Sequence, residues 1–244
     1  DGVKPKNFNA VVKAICEEMK DKPVSVELSD STATPKEMIV EAQRLAELAE
    51  NVVVKVPLIP ETTKSLFVIN ELCKLDIALN ITTIMTFEQM ILAALSTRHS
   101  PKISFLSLFW GRSIEDSANY RSRFDFMAKH PRVGLESHIN ANPHKITQEI
   151  ASFLKEGGYH NLKIIIGSIR NAAMVGEAFA AGGNICTITP EILTAMLYSQ
   201  RSIETIKQFD DAWKEMNASN GESKPEPSTP GRIPRFSRAN SQNK

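Results

Sequence analysis

Residues 51–58 read NVVVKVPL, a run of valines broken by one lysine and closed by a proline. A segment this short, apolar and β-branched reads as a strand buried on both faces, the kind that occupies parallel sheets. Side chains alternate across a strand, so Val53 and Lys55 share one face while Val52, Val54 and Val56 share the other. Outward from this run, PVSVEL (23–28) comes before it, and DIALNITTIM (76–85), KISFLSLFW (102–110), KIIIGS (163–168) and NICTIT (184–189) come after. Helical periods fill the gaps: 7–19, 35–49 with Pro35 in the first turn after Thr34, 61–75, 87–95, 171–181, 190–198 and 203–216. A long polar helical region, 113–158, carries His130-Pro131 and Asn142-Pro143 as breakers. Strands alternating with helices in this way predict βα units around a parallel sheet.

The same parity recurs in the other strands. Ser25, Glu27 and Ser29 oppose Val24, Val26 and Leu28; Asn80 and Thr82 oppose Leu79 and Ile81; Thr187 and Thr189 oppose Cys186 and Ile188. One face can pack on helices, and the other carries polar groups toward the carboxyl end of its strand. That pattern predicts a (β/α)8 TIM barrel with its chemistry at the C-terminal face. An open doubly wound sheet would satisfy the same rhythm, but the sequence has no GxGxxG or P-loop for a nucleotide at its switch point.

Of 244 residues, 42% are hydrophobic and 23% charged, an ordinary globular composition. Residues 217–244 hold four of the 13 prolines and a local charge of +3 (five Lys and Arg against two Glu), which leaves about −2 for residues 1–216 from the total of +1. The expectation is one barrel domain over 1–216 and a disordered Pro/Ser/Arg-rich tail over 217–244. The barrel has no basic footprint for nucleic acid, and no apolar run approaches the roughly 20 residues of a membrane span. Cys16, Cys73 and Cys186 show neither CxxC spacing nor a nearby histidine ligand, which predicts free thiols, no metal site and a cytoplasmic protein.

Lys55 is the sharpest feature of the sequence. An ammonium among valines is costly to bury, and desolvation favours the neutral amine that condenses with a ketone or aldehyde into a Schiff base. A strand-end lysine that snorkels to solvent or pairs with a carboxylate is the plainer alternative. Schiff-base chemistry also needs a proton shuttle; Glu27 lies on the matching face of the neighbouring strand, and Asn80 and Thr82 could hold a water and the amine. A second constellation fits a phosphate. Arg112 directly follows one strand in FWGR, and Ser168 and Arg170 end another in GSIR, offering a hydroxyl, backbone amides and bidentate guanidinium groups.

These residues resemble the transaldolases, in particular the short bacterial-type group that includes the fructose-6-phosphate aldolases. The resemblance runs from Asp1 to about Met216. It implies that Lys55 is the Schiff-base lysine, that Glu27 acts through a water, and that Asn80 and Thr82 orient the lysine and that water. It further implies that Ser107, Phe109 and Arg112 of SLFWGR correspond to an SPFVGR-type segment, with the serine by the substrate and the arginine on phosphate, and that Ser168 and Arg170 complete the phosphate site. Transaldolases usually carry Glu and Phe where the aldolases carry Gln and Tyr, so Glu27 and Phe109 favour transaldolase. The implied activity is Schiff-base transfer of a dihydroxyacetone unit from sedoheptulose 7-phosphate or fructose 6-phosphate to an aldose phosphate in the pentose phosphate pathway. It uses no metal or organic cofactor, and its partners are sugar phosphates, with the oligomeric state left open. A fructose-6-phosphate aldolase-like class I aldolase and a non-catalytic sugar-phosphate-binding barrel are the alternatives.

Departures from the family pattern are specific. Ile59 and Thr62 replace the usual Thr or Ser and Gly after the lysine strand, and Leu108 and Trp110 replace Pro and Val. Neither the Leu-Asp-Thr motif of the family's first strand nor the Thr-Thr-Asn-Pro that ends its second occurs here. A full barrel runs to roughly 250 residues, so a strand-helix-strand unit of on the order of 35 residues is expected ahead of Asp1, which then marks the start of a fragment.

Overall fold

The valine run forms a strand at the heart of a parallel sheet. A computed structural model of the chain describes residues 7–59, 62–118 and 142–220, and the chain divides into two units, Asp1–Met196 and Leu197–Lys244. The first unit begins with α1 (Phe8–Met19), β1 (Val24–Glu27), α2 (Pro35–Ala46), β2 (Val52–Pro57), α3 (Lys64–Lys74), β3 (Leu79–Ile84) and α4 (Phe87–Thr97). It continues with β4 (Ser104–Phe109), α5 (Trp110–Ala118), α6 (Pro143–Glu156), β5 (Leu162–Gly167), α7 (Ala172–Ala180), β6 (Ile185–Cys186) and α8 (Pro190–Leu197), which ends at the division. The second unit carries α9 (Gln200–Asn220), which starts earlier than the expected 203–216 helix and runs past its end. Residues 217–220 of the expected tail instead close α9, and the rest of it, 221–244, lies with the breaker His130-Pro131 outside the described residues.

The six strands lie in sequence order, β1-β2-β3-β4-β5-β6, with every adjacent pair parallel. They form a half-barrel, part of the predicted TIM-type architecture. The parity read from sequence divides it into two surfaces. Val54, Val56, Leu79, Ile81, Leu106, Leu108 and Ile166 are fully buried against Met38, Leu45, Ile69, Leu72 and Met90 of the surrounding helices. On the inner surface a separate apolar cluster, Val53, Phe105 and Ile165 with Ala78 packed on it, fills the lower layer. The polar side chains of the same faces stand above it, toward the carboxyl ends. The edge strands are the short ones: β1 has four residues and β6 two, where longer strands are expected from PVSVEL and NICTIT, because each pairs on one side only.

Local chemistry sets the helix starts. Thr34 caps α2 in a reciprocal box with Glu37, with Pro35 in the first turn as expected, and Thr86 and Gln89 make the same box on α4. Asn7, Asn142 and Asn171 cap α1, α6 and α7. Helix α3 begins at Lys64 rather than 61, where Ser65 is turned to the loop after β2: its hydroxyl accepts from Ile59 N–H at 2.9 Å and donates to the Pro57 carbonyl at 3.0 Å. That pair of bonds fixes the chain just beyond Lys55. The three cysteines are free thiols, each with its pKa raised by burial. Among the described residues no helix is long and apolar enough to cross a membrane.

Candidate active site

Parallel registration brings Glu27, Lys55 and Asn80 side by side, since Glu27 pairs with Lys55 and Lys55 with Asn80 across β1, β2 and β3. Identical parity sends all three to the inner surface. Lys55 Nζ donates to Glu27 Oε2 at 2.8 Å, with the lysine side chain 27% exposed and the glutamate 44%. Of the two alternatives open from the sequence, a buried neutral amine or a strand-end lysine paired with a carboxylate, the second describes the geometry: the amine reaches the half-open inner surface and meets Glu27.

Asn80 anchors a polar chain beside this pair. Its Nδ2 donates to Ser25 Oγ at 3.0 Å, two strands away on β1, and its Oδ1 accepts from Ser107 Oγ at 2.7 Å on β4. Both Asn80 and Ser107 are buried, so their mutual bond satisfies groups that would be costly to leave unpaired. Ser25 was not singled out in the sequence; its signal was that it shares a face with Glu27. None of the hydrogen bonds among the described residues joins Lys55 to Asn80 or Thr82 directly.

Thr82 is fully buried, and its Oγ1 has no hydrogen-bond partner among the described residues. It sits at an irregularity: Ile81 pairs with Leu106 but Ile84 with Leu108, so β3 carries one extra residue against β4. Thr83 occupies the left-handed region there, at φ +61°, a costly conformation for a β-branched residue. Its hydroxyl lies 2.6 Å from the Thr82 carbonyl and 3.2 Å from the Leu58 carbonyl, so its one proton is shared between the bulge and the chain after Lys55. Bulges re-aim neighbouring side chains, and this one follows directly after Thr82. An unpaired buried hydroxyl normally costs about 1–3 kcal/mol. Thr82→Val is accordingly expected to leave thermal stability unchanged or raised, while lowering turnover by roughly 10²-fold, the low end of what a lost proton-transfer group costs; melting curves and steady-state assays of the same preparation check both halves.

The second constellation assembles where β4 and β5 end. Gly111, in the first turn of α5, donates its N–H to the Ser168 carbonyl at 3.1 Å. A Cβ on Gly111 would lie 2.0 Å from that oxygen and 3.1 Å from Arg170 Cγ, so only glycine permits this approach. Ser168 also adopts the left-handed conformation, at φ +61°, and its buried Oγ has no partner among the described residues. Arg112 lies with its guanidinium carbon 4.9 Å over the Phe109 ring, and Arg170 Nε donates to Glu115 Oε1 at 2.8 Å. Gly111 and Glu115 were missed in the sequence. The first is visible only as a close approach in space, and the second reads as an ordinary helix-surface acid. A cavity of about 720 Å³ opens at the opposite, amino-terminal ends of the strands, with Pro23, Val52, Ala78 and Phe105 in its wall, away from both constellations.

A family described as Transaldolase/Fructose-6-phosphate aldolase matches residues 6–225. A probable transaldolase of Streptococcus equi subsp. equi is 29% identical over 208 residues, covering 85% of this chain and 81% of the relative. A probable transaldolase of Clostridium tetani is 27% identical over 212 residues, 87% of this chain and 83% of the relative. One from Petrotoga mobilis is 31% identical over 208 residues, 85% and 78%.

Proposed function

Because this chain belongs to the transaldolase/fructose-6-phosphate aldolase family, matched over residues 6–225, we propose that it is a class I transaldolase. It transfers a dihydroxyacetone unit from sedoheptulose 7-phosphate or fructose 6-phosphate to an aldose phosphate, as a cytoplasmic step of the pentose phosphate pathway. The observation that carries this reading is the Lys55 amine, 2.8 Å from the Glu27 carboxylate at the carboxyl ends of neighbouring strands. The unpartnered Thr82 hydroxyl and the paired arginines beyond β4 and β5 support it.

In the proposed reaction Glu27 takes a proton from Lys55, and the free amine adds to the C2 carbonyl of the ketose. A water held by Glu27 and Thr82 returns that proton to the carbinolamine oxygen, which leaves as water and gives an iminium. Breaking the C3–C4 bond sends its electron pair into the iminium to form an enamine; the C4 hydroxyl loses its proton to a base, and the aldose phosphate departs as an aldehyde. The enamine carbon then attacks the acceptor aldehyde, whose oxygen takes up a proton. Water hydrolyses the new iminium and frees Lys55. Throughout, Asn80 and Ser107 brace the strands carrying the amine, and Arg112, Ser168 and Arg170 hold the phosphate.

Sodium borohydride added with fructose 6-phosphate reduces any iminium to a stable amine. Intact mass is expected to rise by one reduced dihydroxyacetone unit, with the modified peptide containing Lys55. An unmodified mass sinks the mechanism, and trapping without transfer to an added aldose phosphate favours the aldolase alternative.

A further inference from the structure

Glu115 stands one turn into α5 from Gly111, opposite Arg170 of the loop after β5. Its carboxylate is held below the ordinary range, first by the hydrogen bond from Arg170 and then, against desolvation, by the charges of Arg170 and Arg112, so one anion lies within reach of both candidate phosphate arginines. The contact with Arg170 is made through Nε alone, and among the described residues neither Nη nitrogen of Arg170 makes a hydrogen bond. A guanidinium presents its donors as a planar fork. Holding it by Nε fixes the plane and leaves the Nη pair to meet two phosphate oxygens.

We propose that Glu115 is the positioning residue of the phosphate site: it locks the Arg170 guanidinium in the orientation that grips the phosphate of the sugar substrate, without touching that substrate itself. The proposal rests on the sugar-phosphate reading above. Its energetic basis is conformational. Arg170 is a long, 45% exposed side chain, and ordering such a side chain costs rotamer entropy. A carboxylate on a helix already clamped to the Ser168 carbonyl through Gly111 supplies that order before the ligand arrives, which is how preorganisation raises affinity. Glu115 does not act as a resident competitor that phosphate must expel, because it occupies a different donor of the fork from the two that a phosphate takes.

The test is orthophosphate binding by titration calorimetry to the full chain, followed by steady-state kinetics with fructose 6-phosphate. Glu115→Gln is expected to weaken orthophosphate about tenfold, within the range set by ordering one long side chain, and to raise KM by a similar factor while kcat moves less than twofold. Glu115→Asp, which keeps the charge, is expected to restore part of the loss. Orthophosphate binding that is unchanged or tighter in a folded Glu115→Gln protein overturns the proposal and leaves the sugar-phosphate reading standing. Should that variant not fold, Arg170→Lys removes the Nε donor from the other side of the contact. In its background Glu115→Asp is expected to have no further effect, and an undiminished effect overturns the proposal. Absence of orthophosphate binding to the wild-type protein overturns both readings together.

Discussion

Replacing Lys55 with methionine is expected to abolish borohydride trapping and to lower transferase activity by roughly 10³-fold or more, the scale on which loss of a covalent nucleophile registers. Methionine is similarly long and unbranched and stays on the inner face that Lys55 shares with Val53, so the loss reports chemistry rather than packing. The fold is expected to survive, since the ion pair with Glu27 is half exposed and pairs of that kind contribute about 0–1 kcal/mol. A melting temperature close to wild type beside a missing adduct is the decisive combination. Retained activity in the methionine variant removes Lys55 from the mechanism altogether.

Gly111→Ala is expected to have the largest effect on stability. Its added Cβ would meet the Ser168 carbonyl at 2.0 Å, a backbone atom that cannot rotate away, and would press Arg170 Cγ at 3.1 Å. Relief requires α5 to move off the β5 loop, which breaks the Gly111 N–H bond to Ser168. Overpacking of this kind costs about 2–3 kcal/mol, or roughly 5–10 °C of melting temperature for a chain of this size. Because the same movement separates Arg112 and Glu115 from Arg170 and Ser168, orthophosphate affinity is expected to fall with stability. A melting curve and a phosphate titration unchanged from wild type would show that the close approach does not exist in solution.

Most of the half-barrel was legible because its evidence is one-dimensional. A period of two along VVVKVP, PVSVEL and NITTIM separates helix-facing valine, leucine and isoleucine from Lys55, Glu27, Asn80 and Thr82, and parallel pairing then puts Glu27, Lys55 and Asn80 in one row with Thr82 two residues further along. Features that depend on two segments meeting in space were not legible. Nothing in GSIR or SLFWGR says that a glycine amide of one bonds a serine carbonyl of the other, or that Glu115 takes the Nε of Arg170. The left-handed turns at Thr83 and Ser168 were hidden for another reason: glycine and asparagine advertise such conformations, while threonine and serine adopt them only where tertiary contacts insist. The depth of Lys55 stayed open between burial and pairing with a carboxylate, because a run of valines reports the strand, whereas the exposure of an ammonium four carbons away is set by the surfaces around it.

The curvature of the half-barrel has a mechanical counterpart in the bond between Ser25 and Asn80. In a flat sheet, strands two places apart lie about 9.6 Å from each other, and side chains standing up from such a surface do not meet. Here they meet at 3.0 Å, passing across β2. The bond therefore works like a tie-rod across an arch: it holds β1 and β3 tilted toward one another and sets the angle at which the strand between them presents its amine. Cutting the tie at Ser25 relaxes the arch and widens the gap that Lys55 must span to reach Glu27.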